Sequence, residues 1–321
     1  MVDAQRNTTV SEHQPFAMWY HALYTNGIHP NARFPRNRYE LLRERLETSE
    51  AMNKMVFNVP QAISEEHLLL AHGQDYVQRF LAGKLTDKEQ KRIGLTPWTP
   101  AMIERTLVLT GGALEATEYA LEHRTFSGNM AGGTHHAHRD FGSGYCVFND
   151  LAICAVHAIE NLGVERVAIL DLDVHQGDGT ATILADEPRV CTISVHCSTN
   201  FPFRKSKSDY DLPVEPGSDD ASFLETVERA LTICKDFNPE LLLYQAGVDG
   251  LEQDALGKLN VSRQGMRRRN HLVFSVAKER NIPLVLFMGG GYSKPIDATL
   301  DAFYDLFHDA ALWNSSADNQ L

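Results

Sequence analysis

The stretch that most constrains this chain is residues 166–180, RVAILDLDVHQGDGT. Val167, Ala168, Ile169 and Leu170 read as a strand buried on both faces, and the run breaks abruptly into acids, a histidine and glycines. Side chains alternate along extended chain, so Asp171, Asp173 and, if the strand persists, His175 project to one side. Gathering two carboxylates and an imidazole in a buried place is costly unless a cation or a hydrogen-bond network offsets it, and a metal ion is the simplest explanation. Gly177 and Gly179, on either side of Asp178, give the chain freedom to turn and aim a further carboxylate at the same point. The plainer reading, acids that cap the next helix, stays open on this stretch alone.

Two more apolar runs end in the same way. LLLYQ at 241–245 leads into AGVDG, and PLVLFM at 283–288 leads into GGGY. Another strand is expected at 190–195, with helices at 151–161, 180–186, 221–237 and 263–280. Apolar strands alternating with helices imply an α/β fold whose parallel sheet is covered on both faces, with the site beyond the strands' carboxyl ends. Residues 1–15 are polar and expected to be loose, and 18–24 reads as an edge strand. Helices are expected at 38–51, from a Ser64 cap, and at 101–123, where Gly111 and Gly112 mark a close-packing point or kink. No repeat or linker divides the chain. One domain over 16–310 with a tail at 311–321 is the expectation.

A net charge of −12 argues against nucleic acid as a partner, because phosphate binding wants a basic face. The apolar runs are too short to span a bilayer and the N-terminal stretch MVDAQRNTTVSEHQ contains no apolar h-region, so neither export nor membrane insertion is expected. Five cysteines without CxxC pairing suit reduced thiols in a cytoplasm-like compartment. Arg267, Arg268 and Arg269 fall on a predicted helix and read as a solvated face.

Asp173, His175 and Asp249 offer two oxygens and one nitrogen, a set for a divalent metal that leaves positions open for water and substrate. Zinc comes first, and Fe(II), Mn(II) or Co(II) suit the same ligands. The loop GGTHHAHRDFGSGYCVFND carries His135 and His136 in tandem, suited to acid and base work near neutral pH, with Asp171 and Asp178 as carboxylates to orient them. His138 reads as a solvated loop residue. Tyr292, after three glycines that include Gly290, is placed to donate a hydrogen bond to a developing oxyanion. Tyr145, beside Gly144, is an aromatic suited either to lining a narrow channel or to the core.

Taken together and in order, HHAHRDFGSGYCVFND, DLDVHQGDG, SVH, AGVDG and GGGY resemble the zinc-dependent histone deacetylase superfamily over residues 16–310. The RFP at 33–35, and Gln176 where better-known members carry a second histidine, are similar to the class IV branch and its bacterial relatives. The resemblance implies the arginase/deacetylase fold, a three-layer αβα domain with a mainly parallel sheet of about eight strands. By likeness Asp173, His175 and Asp249 are the zinc ligands and Tyr292 polarises the scissile carbonyl. His136 would be the general base and acid, His135 its electrostatic partner, and Asp171 and Asp178 would pair with His135 and His136. A structural potassium ion is implied near Asp171, Asp173, His175 and Ser194. Tyr145, Gly144, Leu256 and Gly290 match the acyl-lysine channel, with Tyr145 replacing a more usual phenylalanine.

The expected reaction is hydrolysis of an amide, releasing acetyl or longer acyl groups from lysine side chains of proteins. Small acylated amines such as acetylpolyamines are the alternative substrate, mildly favoured by the acidic net charge. A module that binds acyl-lysine without cleaving it ranks below both, since every position of the site is filled.

Overall fold

Val167–Asp171 forms a strand, buried along its whole length, near the middle of a single eight-stranded sheet. The computed structural model describes residues 14–316. In chain order the strands are β1 (Phe16–Trp19), β2 (Met55–Asn58), β3 (Phe126–Asn129), β4 (Val167–Asp171), β5 (Val190–Cys197), β6 (Tyr210–Val214), β7 (Leu241–Gln245) and β8 (Leu284–Phe287). They lie in the order β2-β1-β3-β8-β7-β4-β5-β6, and every neighbouring pair is parallel. The expected α/β sandwich is the fold observed.

Two neighbours on β3 show how the layers sit. Ser127 Oγ donates to the Ala116 carbonyl of helix Met102–His123, whereas Gly128, facing the other way, packs against Phe307 of helix Asp297–Ser315. Helix Asp150–Asn161 joins the first of these layers. Helices Arg38–Glu47, Asp220–Phe237 and Arg263–Glu279 join the second. Gly111 and Gly112 are the expected close-packing point: a Cβ on Gly111 would strike the Gln61 backbone, and one on Gly112 the Tyr24 hydroxyl. Ser64 caps its helix, accepting the His67 N–H.

Several expectations are corrected. The aromatic segment near 18 is not an edge strand, since β1 is paired on both sides and the chain turns helical at Leu23–Asn26. The helix expected to reach 51 ends at Glu47. The boundary expected at 310 falls inside helix Asp297–Ser315, whose Asn314 Oδ1 accepts from Thr125 Oγ1 and the Phe126 N–H, tying it to β3. Of the N-terminal segment expected to be loose, residues 1–13 lie outside the described residues, while the Gln14 and Pro15 carbonyls accept from Asn314 and Tyr119. The arginine run is solvated only in part: Arg267 and Arg268 are exposed, Arg267 paired with Asp309, whereas Arg269 is fully buried, with Nη1 and Nη2 donating to the Gly247 and Ala246 carbonyls.

Candidate active site

β3, β8, β7 and β4 are neighbours, and parallel pairing sends their carboxyl ends to the same edge. The segments leaving them carry His135 and His136 after β3, Asp173, His175 and Asp178 after β4, Asp249 after β7 and Tyr292 after β8. β4 stops at Asp171, so simple strand alternation does not reach His175. A turn over 172–177 brings Asp173 and His175 up to Asp249 instead.

Asp173, His175 and Asp249 each present a ligand atom, all within 4.8 Å of one another, with both carboxylates buried. His175 Nδ1 lies 3.1 Å from Asp173 Oδ1 and 3.0 Å from Asp249 Oδ2. Backbone donors hold the acids in place: Gly290 N–H donates to Asp173 Oδ2 at 2.8 Å, and Val174 N–H to Asp249 Oδ1 at 2.9 Å. A Cβ on Gly290 would run into both carboxylates, so only glycine allows this close approach. Burial, then the charge of Asp173, raises Asp249 to about 7. Burial works against charge on His175, yet its hydrogen bonds to Asp173 and Asp249 raise it to about 10. A place where two carboxylates repel and an imidazole is pressed to become cationic calls for positive charge. This donor set fits a divalent ion.

Beside it stand two imidazole–carboxylate pairs. His135 Nδ1 is 2.7 Å from Asp171 Oδ2, and His136 Nδ1 is 2.7 Å from Asp178 Oδ1. The two rings, with centroids 4.1 Å apart, have opposite electrostatics. Burial lowers His135, but Asp171 and Asp173 outweigh it and raise the group to about 9. Burial and the charge of His135 lower His136 to about 4 despite Asp178. His136 is therefore neutral near pH 7, with Nδ1–H donated to the carboxylate and Nε2 left as an acceptor. His138, expected to be solvated, also belongs here: its Nε2 is 3.2 Å from Asp178 Oδ2, so Asp178 holds two histidines.

A cavity of about 530 Å³ runs from exposed Phe203 and Leu256, past His136 and Tyr292, to buried Arg38 and Arg105. Burial holds the Tyr292 phenol well above its ordinary pKa, keeping it a donor, and its ring lies 5.8 Å from that of Tyr145. Gly144, with φ of 53°, lies against the His136 ring, and a Cβ there would collide with it. Asp171 and Ser194, two of the residues expected around a monovalent cation, are register partners of β4 and β5.

The histone deacetylase domain profile matches residues 32–303. The chain belongs to the histone deacetylase family. It is similar at 41% identity over 298 residues to an uncharacterised protein of Picosynechococcus, covering 92% of this chain and 98% of that one. Histone deacetylase 2 of Arabidopsis thaliana is 34% identical over 245 residues, covering 73% of this chain and 63% of the plant protein. The acetoin utilization protein AcuC of Bacillus subtilis is 31% identical over 256 residues, covering 73% of this chain and 66% of AcuC. The chain thus spans just under two thirds of the length of the latter two.

Within this family frame, four residues had no distinct mark in the sequence. Asp254 sits in a loop and accepts the Tyr292, Leu256 and Gly257 N–H groups. Asn200 Nδ2 donates to the Leu256 carbonyl at 2.8 Å and lies 3.4 Å from His175 Nε2. Arg38 and Arg105 belong to helices whose charged positions look solvent-facing in one dimension. Gln176 turns away from the imidazoles to bond Asp211 and Ser206, tying the turn after β4 to β6 and the segment before it.

Proposed function

We propose that this chain hydrolyses the amide of acylated lysine side chains in proteins, releasing acetate or a longer acid and the free amine. The observation that carries the reading is the convergence of the Asp173–His175–Asp249 set, neutral His136 and the Tyr292 phenol on one cavity open to solvent.

Asp173, His175 and Asp249 would hold a divalent ion, zinc by preference, with Fe(II), Mn(II) or Co(II) as substitutes. Such an ion supplies Lewis acidity, making a carbonyl more electrophilic and water more acidic. Tyr292 donates a hydrogen bond to the carbonyl oxygen as charge develops there. His136 accepts a proton at Nε2 from the attacking water, while Asp178 holds Nδ1–H and fixes the tautomer. The same Nε2 then delivers the proton to the departing amine. His135, held cationic by Asp171 and Asp173, places a positive charge next to His136 and so favours the neutral base. Asp171, Asp173, His175 and Ser194 would hold potassium as a structural ion.

A protein substrate rather than a small polycation is favoured by the rim, where Phe203 is 90% exposed and Lys258 stands beside Leu256. An apolar, basic mouth suits a peptide chain better than an acetylpolyamine. The five cysteines are free and buried, in keeping with a cytoplasmic setting, and among the described residues no helix is long and apolar enough to cross a membrane. The test is turnover of acetyl-lysine peptides against acetylpolyamines by the metal-loaded protein. Hydrolysis of polyamines alone sinks the protein-substrate reading, and hydrolysis of neither sinks the enzyme.

A further inference from the structure

The inner end of the cavity carries buried positive charge with no protein anion paired to it among the described residues. Arg38 and Arg105 both line it and are 3% and 4% exposed. Burying one guanidinium is costly without an anion, and burying two side by side more so. Neither forms an ion pair among the described residues. Arg38 donates to the Gly291 and Gly289 carbonyls and to Tyr39 Oη, and Arg105 to the Tyr24 carbonyl and to the same Tyr39 Oη. These bonds occupy about half of the N–H donors that two guanidiniums carry. Arg38 Nε is buried and has no hydrogen-bond partner among the described residues. Tyr39 Oη, accepting from both arginines, keeps its own proton for a further acceptor.

Arg269 shows what a purely structural buried arginine looks like in this fold. Its Nε, Nη1 and Nη2 are all bonded to carbonyl oxygens or Asn270, and it lies away from the cavity. The Arg38 and Arg105 pair is unfinished by comparison. Its position relative to the reacting groups is short-range: the Arg38 guanidinium carbon is 5.7 Å from the Tyr292 ring centre and 4.7 Å from that of Phe34. Phe34 and Leu109 add apolar wall to the same space. An occupant with a carboxylate at one end and two or three methylenes behind it matches this lining.

We infer that Arg38, Arg105 and Tyr39 form a subsite for the terminal carboxylate of a dicarboxylic acyl group, so that succinyl-lysine or glutaryl-lysine is a preferred substrate. This rests on the deacylase reading above. The chemistry is unchanged: the oxygen of water joins the acyl carbon, the C–N bond breaks, the lysine amine takes up the proton, and a dicarboxylic acid leaves. Only the recognition of the acyl end differs.

The experiment compares kcat/KM of the metal-loaded full chain on one lysine peptide carrying acetyl, butyryl, succinyl, pentanoyl or glutaryl groups. Charged acyls are expected to exceed the neutral acyls of matching length by about tenfold or more, the size of a charge-assisted hydrogen bond. That ratio is expected to collapse towards one in Arg105→Gln and to be partly kept in Arg105→Lys, which also covers failure of the glutamine variant to fold. A second readout needs no turnover: free glutarate should raise the wild-type Tm more than pentanoate does. A wild-type ratio at or below one overturns the inference, as does a ratio unchanged in Arg105→Gln. Arg105-dependent inhibition by free acetate without any preference for charged acyls also overturns it, since the subsite would then serve the leaving acid. Hydrolysis of acetyl and butyryl peptides but not charged ones defeats this inference alone, whereas hydrolysis of none defeats the deacylase reading with it.

Discussion

Asp254 Oδ2 accepts the backbone N–H of Tyr292 at 2.6 Å. Its other oxygen accepts the N–H groups of Leu256 and Gly257, so one carboxylate fixes both the phenol's backbone and the loop that bears a wall of the channel. Charge-assisted hydrogen bonds of this kind contribute about 1.5–3 kcal/mol each. Asp254→Ala is expected to lower kcat at least about tenfold by letting Tyr292 drift, with a smaller change in KM and unchanged metal content. Asp254→Asn, which keeps the acceptor towards Leu256, should recover part of the loss. Steady-state kinetics alongside metal analysis checks this, and a pure KM effect would tell against a positioning role.

Removing the phenol itself tests the oxyanion contact. The Tyr292 hydroxyl makes no hydrogen bond to the protein among the described residues, so Tyr292→Phe leaves no protein group unpaired. It should cost kcat on the order of 10²–10³-fold while Tm and bound metal stay at wild-type levels. Wild-type kcat in this variant would remove Tyr292 from the mechanism.

Metal dependence is the expectation from the donor set. Asp173→Ala and Asp249→Ala should each lose the divalent ion and the activity. Chelation of the wild type should lower Tm, with recovery when the ion returns; a ligand at a hundredfold excess over its Kd stabilises by about 2.7 kcal/mol. Inductively coupled plasma analysis and thermal scans read both. Retained activity after complete chelation would contradict the assignment.

Acid sensitivity is expected from beneath the histidine loop. Burial lowers His72 to about 4, and its place is fixed: Nδ1 is 3.1 Å from the His138 carbonyl and Nε2 accepts the Asn149 N–H at 2.8 Å. In the unfolded chain the group takes its proton at an ordinary value near 6.5. Between those values the unfolded state binds more protons, so stability is complete above about 6.5 and falls as the pH drops towards 4, by up to about 3 kcal/mol from this residue. Denaturant midpoints at several pH values for wild type and His72→Gln should show the flatter profile in the variant.

Much of the candidate site was legible because buried parallel strands read as plain apolar runs, and β4, β7 and β8 each break into the polar residues that meet at the cavity. β3 was not, for the opposite reason. Its FSGN sequence is small and polar yet wholly buried, made tolerable because Ser127 Oγ donates to the Ala116 carbonyl and Asn129 Nδ2 to that of Leu109. β6 contains Pro213, which an edge strand accepts and a sequence pattern penalises. Arg269 sits in a run of three arginines, and only tertiary packing distinguishes the one that turns inward. The partners of Asp254 are backbone groups, which carry no sequence signal.

Arg269 also gives a stability prediction. Its side chain is enclosed and bonded to the Gly247 and Ala246 carbonyls between β7 and Asp249. Arg269→Met leaves those oxygens without donors and is expected to cost about 3 kcal/mol or more. Urea denaturation measures it, and a loss below about 1 kcal/mol would show that the carbonyls find other donors.

The ordering of β4 beside β7 has a consequence for biosynthesis. Asp249 comes 74 residues after His175, so during translation the first two donors emerge long before the third. Until β7 slots in next to β4, the nascent polypeptide has only half a claw. Capture of an ion by these three side chains would thus be a late event, one that reports the closure of β7 onto β4.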